Sequence, residues 1–350
     1  MRGRQLGETT DGPSDGSRDW LYRPSTIGTR SGSGKDENSR LDPASARRIV
    51  TIMNESRTSN NIGSQKAINM QMHQTIHTLF LIVSRCAAIG LFAFAASAQP
   101  VELPQRGVCA HRGASATHPE NTLAAFREAI RLGAHMIEFD VYLTKDKHPV
   151  VIHDPTLDRT TDGKGPVSDA KFKNVRKLDA GSWKNTAFKD ERVPTLEEAL
   201  EIMPQNIWLN VHLKEGRECG EIAARAIVKA DRLHQAFLAC NADAAAGARA
   251  VAPGILICNM DRQGGTVAYV DDTIAKGAQF IQLAGTPVDQ LPPLVEKLKA
   301  NKIHINYYGR ENKEDQRALF KAGVDFPLAN DVASALSIAT EFGIAPCVQK

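Results

Sequence analysis

The hydrophobic pattern of the chain switches between two periods from about residue 107 onward. Short apolar runs of strand length alternate with longer segments in which apolar residues recur at helical spacing. The predicted strands cover residues 107–112, 135–141, 207–213, 236–240, 254–259, 279–283, 302–308 and 324–329. The predicted helices cover residues 119–132, 195–203, 218–231, 242–251, 266–276, 289–300 and 313–322.

This alternation predicts an α/β fold, the TIM (β/α)8 barrel, which typically needs about 250 residues. The alternative is an open, doubly wound sheet. That fold lacks the support of a G-x-G-x-x-G motif after the first strand.

One further apolar run, Pro149 to His153, interrupts the alternation. It follows strand 135–141 after only about eight residues, whereas a parallel crossover needs about a dozen or more. We therefore expect an antiparallel hairpin with that strand. Residues 154–192 show no clear period, and we expect them to form a small insertion after the second strand, over the barrel mouth.

The chain before residue 99 has a different character. Residues 1–69 are rich in Gly, Ser, Thr, Asn and Arg without any period, which predicts either a disordered segment or sequence upstream of the true start. Residues 70–98 contain an apolar run that ends in Ala-Ser-Ala, the pattern of a cleaved signal peptide, which would leave residues 99–350 as the barrel. The alternative is a transmembrane helix, although Arg85 would lie near its middle. A signal peptide implies a periplasmic or secreted protein.

The net charge of +3 does not come from the barrel. Of the 43 Lys and Arg residues 12 precede residue 99, as do 8 of the 40 Asp and Glu residues. The remainder is close to neutral, so the bulk charge does not favour nucleic-acid binding. We expect a small-molecule partner and no stable membrane span after signal cleavage. No particular oligomeric state is implied.

Polar residues interrupt the apolar strands near their C-terminal ends. Glu138 and Asp140 lie two apart in a strand and therefore project to the same face. Two carboxylates that face one way inside an apolar strand are costly to bury unless a cation lies between them. Their spacing predicts a metal site at the mouth of the barrel. The same mouth should receive His111, Arg112, His153, His212 and Lys214.

Several short motifs occur in a fixed order. They are HRG at 111–113, PENT at 119–122, GAHMIEFDV at 133–141, TKD at 144–146, VVIHD at 150–154 and LDRTTDG at 157–163. Together they resemble the glycerophosphodiester phosphodiesterase family, densely over residues 107–200 and more thinly to about 331. The resemblance implies a TIM barrel with an insertion after its second strand, which agrees with the strand pattern.

The resemblance also implies how a phosphodiester would be hydrolysed. His111 and His153 would form the general acid/base pair, while Arg112 and Lys214 would bind the phosphate. The family's route is attack by the neighbouring glycerol hydroxyl, which gives a cyclic phosphate that water then opens.

The metal site implied by the resemblance departs from the family pattern at one position. Glu138 and Asp140 would bind a divalent cation, calcium or magnesium. Where the family has a further Glu, two residues before the lysine, this chain has His212. Imidazole is neutral and softer than carboxylate, so manganese, iron or zinc would also suit a site that includes His212. We expect Glu120 to lie behind these ligands and to orient a histidine, or else only to help start the helix.

A second departure lies in the seventh strand of the barrel, where Asn306-Tyr307-Tyr308 replaces a stretch that usually contains Trp. This change alters the pocket wall that receives the glycerol or alcohol group. The sequence thus predicts a secreted, metal-dependent phosphodiesterase that hydrolyses glycerophosphodiesters to an alcohol and glycerol phosphate. The alternatives are a different headgroup or lipid substrate, or a barrel that only binds phosphorylated ligands. Retention of both histidines favours an enzyme.

Overall fold

The computed structural model describes residues 101–348, together with Met70 and Met72, which lie in helical conformation. The predictions of a disordered segment or upstream sequence over 1–69 and of a signal peptide over 70–98 otherwise lie outside the described residues. Within the described part of the chain, no helix is both long and apolar enough to cross a membrane.

Eight parallel strands close into a barrel, and a ninth extends it. The strands follow the order β1-β9-β8-β7-β6-β5-β4-β2-β3, and the pairing of β1 with β2 closes the ring. They are β1 Cys109–His111, β2 Met136–Leu143, β3 Pro149–Val151, β4 Trp208–Leu213, β5 Ala236–Cys240, β6 Leu256–Asn259, β7 Phe280–Ala284, β8 His304–Tyr308 and β9 Phe326–Ala329. The TIM-barrel prediction is confirmed.

Helices separate the barrel strands along the chain. They are α1 Leu123–Leu132, α2 Phe172–Val175, α3 Leu196–Ile202, α4 Arg217–Lys229, α5 Ala242–Val251, α6 Val267–Ala275, α7 Leu291–Ala300, α8 Lys313–Ala322 and α9 Val332–Glu341. Three differ from the predictions. The first helix begins four residues later than expected, because Thr122 is its N-cap and accepts a hydrogen bond from the backbone N–H of Ala125. Neither α2, which lies in the insertion, nor the last helix, α9, was predicted.

Alternation along the strands divides the apolar residues between two faces. Met136, Trp208, Phe237 and Phe280 belong to one buried cluster, in which the Phe237 and Phe280 rings stack with centroids 3.8 Å apart. Ile137 and its counterparts on other strands pack instead in a cluster with the helices. The large aromatic rings of this cluster lie near the N-terminal ends of their strands, whereas His111 and His212 lie at or next to the C-terminal ends of β1 and β4.

The β2–β3 hairpin and the insertion form a small layer beside the barrel. β3 pairs antiparallel with β2, with Val151 opposite Val141, as the short connection predicts. The insertion contains α2 and two short 3₁₀ turns, Val167–Asp169 and Thr186–Phe188. Its apolar residues form their own buried cluster with Val150 and Ile152 of the hairpin. The insertion therefore has a core independent of the barrel interior.

Candidate active site

Strand register brings the predicted polar residues to one end of the barrel. His111 pairs with Glu138 across β1 and β2, and Asp140 pairs with His212 across β2 and β4. Glu138 and Asp140 share a face because they lie two apart, and both are buried. Lys214 directly follows β4. The C-terminal ends of three neighbouring strands thus supply one cluster.

The acidic pair meets the imidazole of His212 at the centre of this cluster. His212 Nδ1 lies 3.2 Å from Asp140 Oδ1 and 3.6 Å from Glu138 Oε1. One ligand atom from each of the three residues lies within 4.8 Å of the others. Sequence reasoning proposed this trio as a metal site, and the structure places the three side chains together.

Cationic groups surround the carboxylates. Lys214 Nζ lies 2.8 Å from Asp140 Oδ1, and Arg112 Nε lies 3.5 Å from Asp140 Oδ2. The backbone N–H of Arg112 donates to Glu138 Oε2 at 3.0 Å. Arg112 can do so because its φ of 56° turns the chain back after β1. Gly113 continues that turn at φ 79°, where a Cβ would lie 2.7 Å from the backbone of Ala125.

These contacts shift the pKa values of Asp140 and His212 in opposite directions. Burial alone would raise the pKa of Asp140, but the His212 ring and the Lys214 charge hold it well below its usual range. Burial alone would lower the pKa of His212, but its two carboxylate neighbours raise it overall. Both shifts favour the ionised forms, a carboxylate at Asp140 and an imidazolium at His212.

The donor set suits a divalent cation. Asp140 Oδ1 is buried and accepts no hydrogen bond of good geometry from the described residues. Two carboxylates and an imidazole are ligands that manganese, iron and zinc accept, and carboxylate oxygens also suit calcium and magnesium. A cation bound by Glu138, Asp140 and His212 would displace the imidazole proton and take over the neutralisation.

His111 is held by a residue that sequence reasoning did not identify. Its Nδ1 lies 2.8 Å from Asn330 Oδ1, while Asn330 Nδ2 donates to Glu311 at 2.5 Å. Because the Glu311 carboxylate can only accept, the amide orientation is fixed and His111 Nδ1 is the donor. In the neutral ring, Nε2 is then free to accept a proton. Asn330 directly follows β9, a position at the barrel mouth that could have drawn notice.

His153 lies just after β3 and has a different partner. Its Nδ1 is 2.7 Å from Asp154 Oδ1, and Asp154 in turn accepts from Arg159 Nε at 2.6 Å. The Arg159 hydrogen bonds and the His153 ring lower the pKa of Asp154, although burial opposes them. This carboxylate therefore stays ionised and orients the His153 ring.

The carboxylate of Glu120 contacts two arginines and not a histidine. Instead of orienting a histidine, its carboxylate accepts from Arg112 Nη1 at 2.7 Å and from Arg159 Nη1 and Nη2 at 2.9 and 2.8 Å. Burial alone would raise the pKa of Glu120, but the two arginines lower it overall. Glu120 thus fixes the arginine that is expected to bind phosphate.

Asn121 does not cap the first helix, although it lies next to the cap. Its φ is 58°, and its side chain makes two hydrogen bonds with Asp140. Asn121 Nδ2 donates to Asp140 Oδ2 at 2.8 Å, and the backbone N–H of Asp140 donates to Asn121 Oδ1 at 3.2 Å. This pair fixes the carboxylate of a proposed metal ligand, a role that sequence reasoning missed.

Comparisons of the sequence with known proteins agree on one family. A sequence model of the glycerophosphoryl diester phosphodiesterase family matches residues 111–239. The chain is 34% identical over 242 residues to a glycerophosphodiester phosphodiesterase of Caldanaerobacter subterraneus subsp. tengcongensis, an alignment that covers 67% of this chain and 98% of that protein.

Solved structures are similar over about two thirds of the chain. The crystal structure of a glycerophosphodiester phosphodiesterase from Agrobacterium tumefaciens matches with a TM-score of 0.58 and 27% identity, covering 66% of this chain and 99% of that chain. A phosphodiesterase from Oleispira antarctica in complex with the product sn-glycerol-3-phosphate matches with a TM-score of 0.59 and 28% identity, covering 68% and 97%.

Proposed function

Because this chain belongs to the glycerophosphodiester phosphodiesterase family and is a phosphoric diester hydrolase, we propose how it hydrolyses its substrate. His111 and His153 transfer the protons in the hydrolysis of a glycerophosphodiester, which consumes one water and yields an alcohol and glycerol phosphate. A divalent cation would assist them by neutralising negative charge. The observation that carries this proposal is the convergence of two carboxylates, three imidazoles, an arginine and a lysine at one barrel mouth.

The cation would be held by Glu138, Asp140 and His212. When bound, it neutralises negative charge on the phosphate and on the oxygens that enter and leave phosphorus. Arg112 binds a phosphate oxygen through its planar guanidinium, whose hydrogen bond to Glu120 uses only one of five N–H donors. Lys214 adds a second positive charge beside Asp140.

Proton transfer falls to the two histidines. One accepts the proton of the attacking glycerol hydroxyl as the cyclic phosphate forms, and the other donates a proton to the alcohol oxygen that leaves. Water then opens the cyclic phosphate: it gives a proton to one histidine, and the ring oxygen that leaves phosphorus takes a proton from the other. Each has its Nδ1 occupied, by Asn330 or by Asp154, so each has Nε2 available for the transfer. The fixed rings keep both groups oriented without reorganisation during the reaction.

The product is expected to be sn-glycerol 3-phosphate, the molecule bound to the Oleispira phosphodiesterase. Strand β8 supplies part of the wall that we propose receives the alcohol. Tyr308 is 40% exposed, and its ring centroid lies 5.2 Å from that of His111, so an aromatic wall borders the reacting centre. Neighbouring Asn306 is fully buried, and its amide atoms have no hydrogen-bond partner among the described residues.

Export through a signal peptide over 70–98 is part of the same proposal. The mature protein would begin at Gln99 and act in the periplasm or outside the cell. N-terminal sequencing of the protein recovered from those fractions tests this. A mature chain that retains residues before 99, or recovery only from the cytoplasm, would contradict it.

The activity is tested with purified protein and two substrates, glycerophosphocholine and bis(p-nitrophenyl) phosphate. Each is assayed with calcium, magnesium, manganese and zinc after treatment with a chelator. We expect turnover of glycerophosphocholine with at least one cation and little without any. No turnover with any cation, but saturable binding of sn-glycerol 3-phosphate, would instead indicate a barrel that only binds phosphorylated ligands.

A further inference from the structure

Arg159 belongs to the insertion, yet its side chain reaches two carboxylates at the barrel mouth. Its Nε and Nη2 donate to Asp154 at 2.6 and 3.0 Å. Its Nη1 and Nη2 donate to Glu120 at 2.9 and 2.8 Å. All three guanidinium nitrogens are therefore engaged, in two bidentate pairs with carboxylates that lie 34 positions apart in the chain.

Each of these carboxylates holds a different part of the proposed machinery. Asp154 Oδ1 accepts from His153 Nδ1 at 2.7 Å, and Glu120 Oε1 accepts from Arg112 Nη1 at 2.7 Å. A continuous series of charge-assisted contacts thus runs from the His153 imidazole through Arg159 to the Arg112 guanidinium. Arg159 is its central member.

We propose that Arg159 is a positioning residue, which locks His153 and Arg112 in one mutual arrangement. This inference rests on the proposed function, because it gives Arg159 importance only through the roles of those two residues. Arg159 itself does not contact the reacting atoms. Its insertion thereby becomes part of the active site rather than a cover over it.

The geometry of the contacts with Asp154 and Glu120 requires an arginine rather than another positively charged side chain. A lysine could reach one carboxylate as a point charge, but only the planar fork can satisfy both carboxylates in bidentate fashion. Exposed ion pairs usually contribute little, and Arg159 is 43% exposed in its side chain. The contact with Glu120 differs, because the Glu120 side chain is only 13% exposed and is shared with Arg112. Loss of Arg159 would leave two carboxylates facing an anionic substrate.

The insertion has stabilising contacts other than those of Arg159. The insertion has its own apolar cluster, which includes Val167, Val175 and Ala180. Another arginine, Arg176, secures it elsewhere, since Nη2 donates to Glu198 at 2.6 Å and Nη1 donates to the Val193 carbonyl at 2.7 Å. Arg176 is thus a matched control, an insertion arginine paired with a carboxylate away from the mouth.

The test compares Arg159→Met and Arg176→Met in the full protein with its preferred cation. We expect Arg159→Met to lower kcat/KM for glycerophosphocholine about 10- to 100-fold, the loss typical of residues that orient functional groups. It should also weaken the binding of sn-glycerol 3-phosphate, because Arg112 is no longer fixed. Arg176→Met should lower the unfolding temperature and leave kcat/KM unchanged. Arg159→Lys should recover only part of the activity.

Double variants identify the route of the effect. If Arg159 acts through its two carboxylates, adding Arg159→Met to Glu120→Gln or to Asp154→Asn should lower kcat/KM by much less than it does in the wild type. Losses that multiply fully in both pairs would overturn the proposal, as would wild-type activity in Arg159→Met. A wild type without turnover would refute the proposed function instead. The binding of sn-glycerol 3-phosphate would then decide the role of Arg159, and unchanged affinity in Arg159→Met would reject it.

Discussion

The two ends of this barrel carry similar residue types in different surroundings. At the N-terminal end, His135 Nδ1 accepts from the Val108 backbone N–H at 3.2 Å, and its Nε2 donates to the Ala345 carbonyl at 2.9 Å. Asp325 accepts from the Ile305 backbone N–H at 2.9 Å and from Lys299. These side chains bind backbone groups of neighbouring segments, and so they hold the barrel together.

At the mouth, by contrast, side chains mainly contact one another and retain capacity for a ligand. Asp140 Oδ1 lies among cationic groups without a well-formed hydrogen bond, and the Nε2 atoms of His111 and His153 are available. Histidine or aspartate alone does not mark a functional site. What distinguishes the mouth is the convergence of charges that the fold does not fully satisfy.

The largest expected effect on kcat/KM comes from comparing an alanine substitution of one histidine at each end of the barrel. His111→Ala should lower kcat/KM about 10²- to 10⁴-fold, because a proton-transfer group is lost, with little change in stability. His135→Ala should lower the free energy of unfolding by about 1–3 kcal/mol, because Val108 and Ala345 lose a buried partner, with kcat/KM of the folded protein unchanged. Kinetics and urea denaturation measure both. Retained activity in His111→Ala would exclude it as a proton-transfer group.

Substitution of one aspartate at each end gives a second comparison, in which the affinity for the cation is measured. Asp140→Asn should weaken the binding of the activating cation at least about 100-fold, since even residues that only orient ligands cost about 10- to 100-fold. Asp325→Asn should leave cation affinity unchanged and lower the unfolding temperature, because Lys299 loses its charged partner. Calorimetric titration with manganese measures both affinities. Equal affinity in wild type and Asp140→Asn would place the cation elsewhere.

A smaller effect is expected from restoring the carboxylate at position 212. His212→Glu should raise activity with calcium relative to manganese by about tenfold, which equals about 1.4 kcal/mol, because a hard oxygen ligand replaces a nitrogen. The ratio of kcat/KM values with the two cations is the measurement. An unchanged ratio would mean that His212 is not a ligand.

The smallest effect concerns stability in acid. The pKa of Glu120 is lowered in the folded protein by its two arginines, so its contribution is present above the ordinary glutamate pKa and is lost as the pH falls through the folded value. Glu120→Gln should therefore show a shallower decline in stability between about pH 5 and pH 3 than the wild type. Urea denaturation at these pH values tests this, with Glu314→Gln as an exposed control. Identical slopes for wild type and Glu120→Gln would contradict the pairing.

Local patterns were sufficient to predict most of the barrel. The apolar pattern predicted all eight barrel strands and seven of the helices between them. The short connection before β3 predicted a hairpin. The last helix, α9, was missed because its apolar and small residues give no clear amphipathic stripe. Asp331, which caps it by accepting from the backbone N–H of Ser334 at 3.0 Å, was the available signal.

The candidate site was predictable only where a residue's place in its own strand decides its position. The side-by-side arrangement of Glu138 and Asp140 follows from their spacing. The contact of Asn330 with His111 joins residues 219 positions apart and depends on β1 pairing with β9 as the barrel closes. The two hydrogen bonds of Asn121 depend on a left-handed turn that no apolar period reveals.

The most direct test of the central claim is anomalous diffraction from crystals soaked with manganese. We predict one strong peak bonded to carboxylate oxygens of Glu138 and Asp140 and to a ring nitrogen of His212, with Lys214 Nζ displaced from Asp140. A peak bound elsewhere, or none at the mouth while Lys214 keeps its contact with Asp140, would contradict the claim that these groups converge to hold a cation.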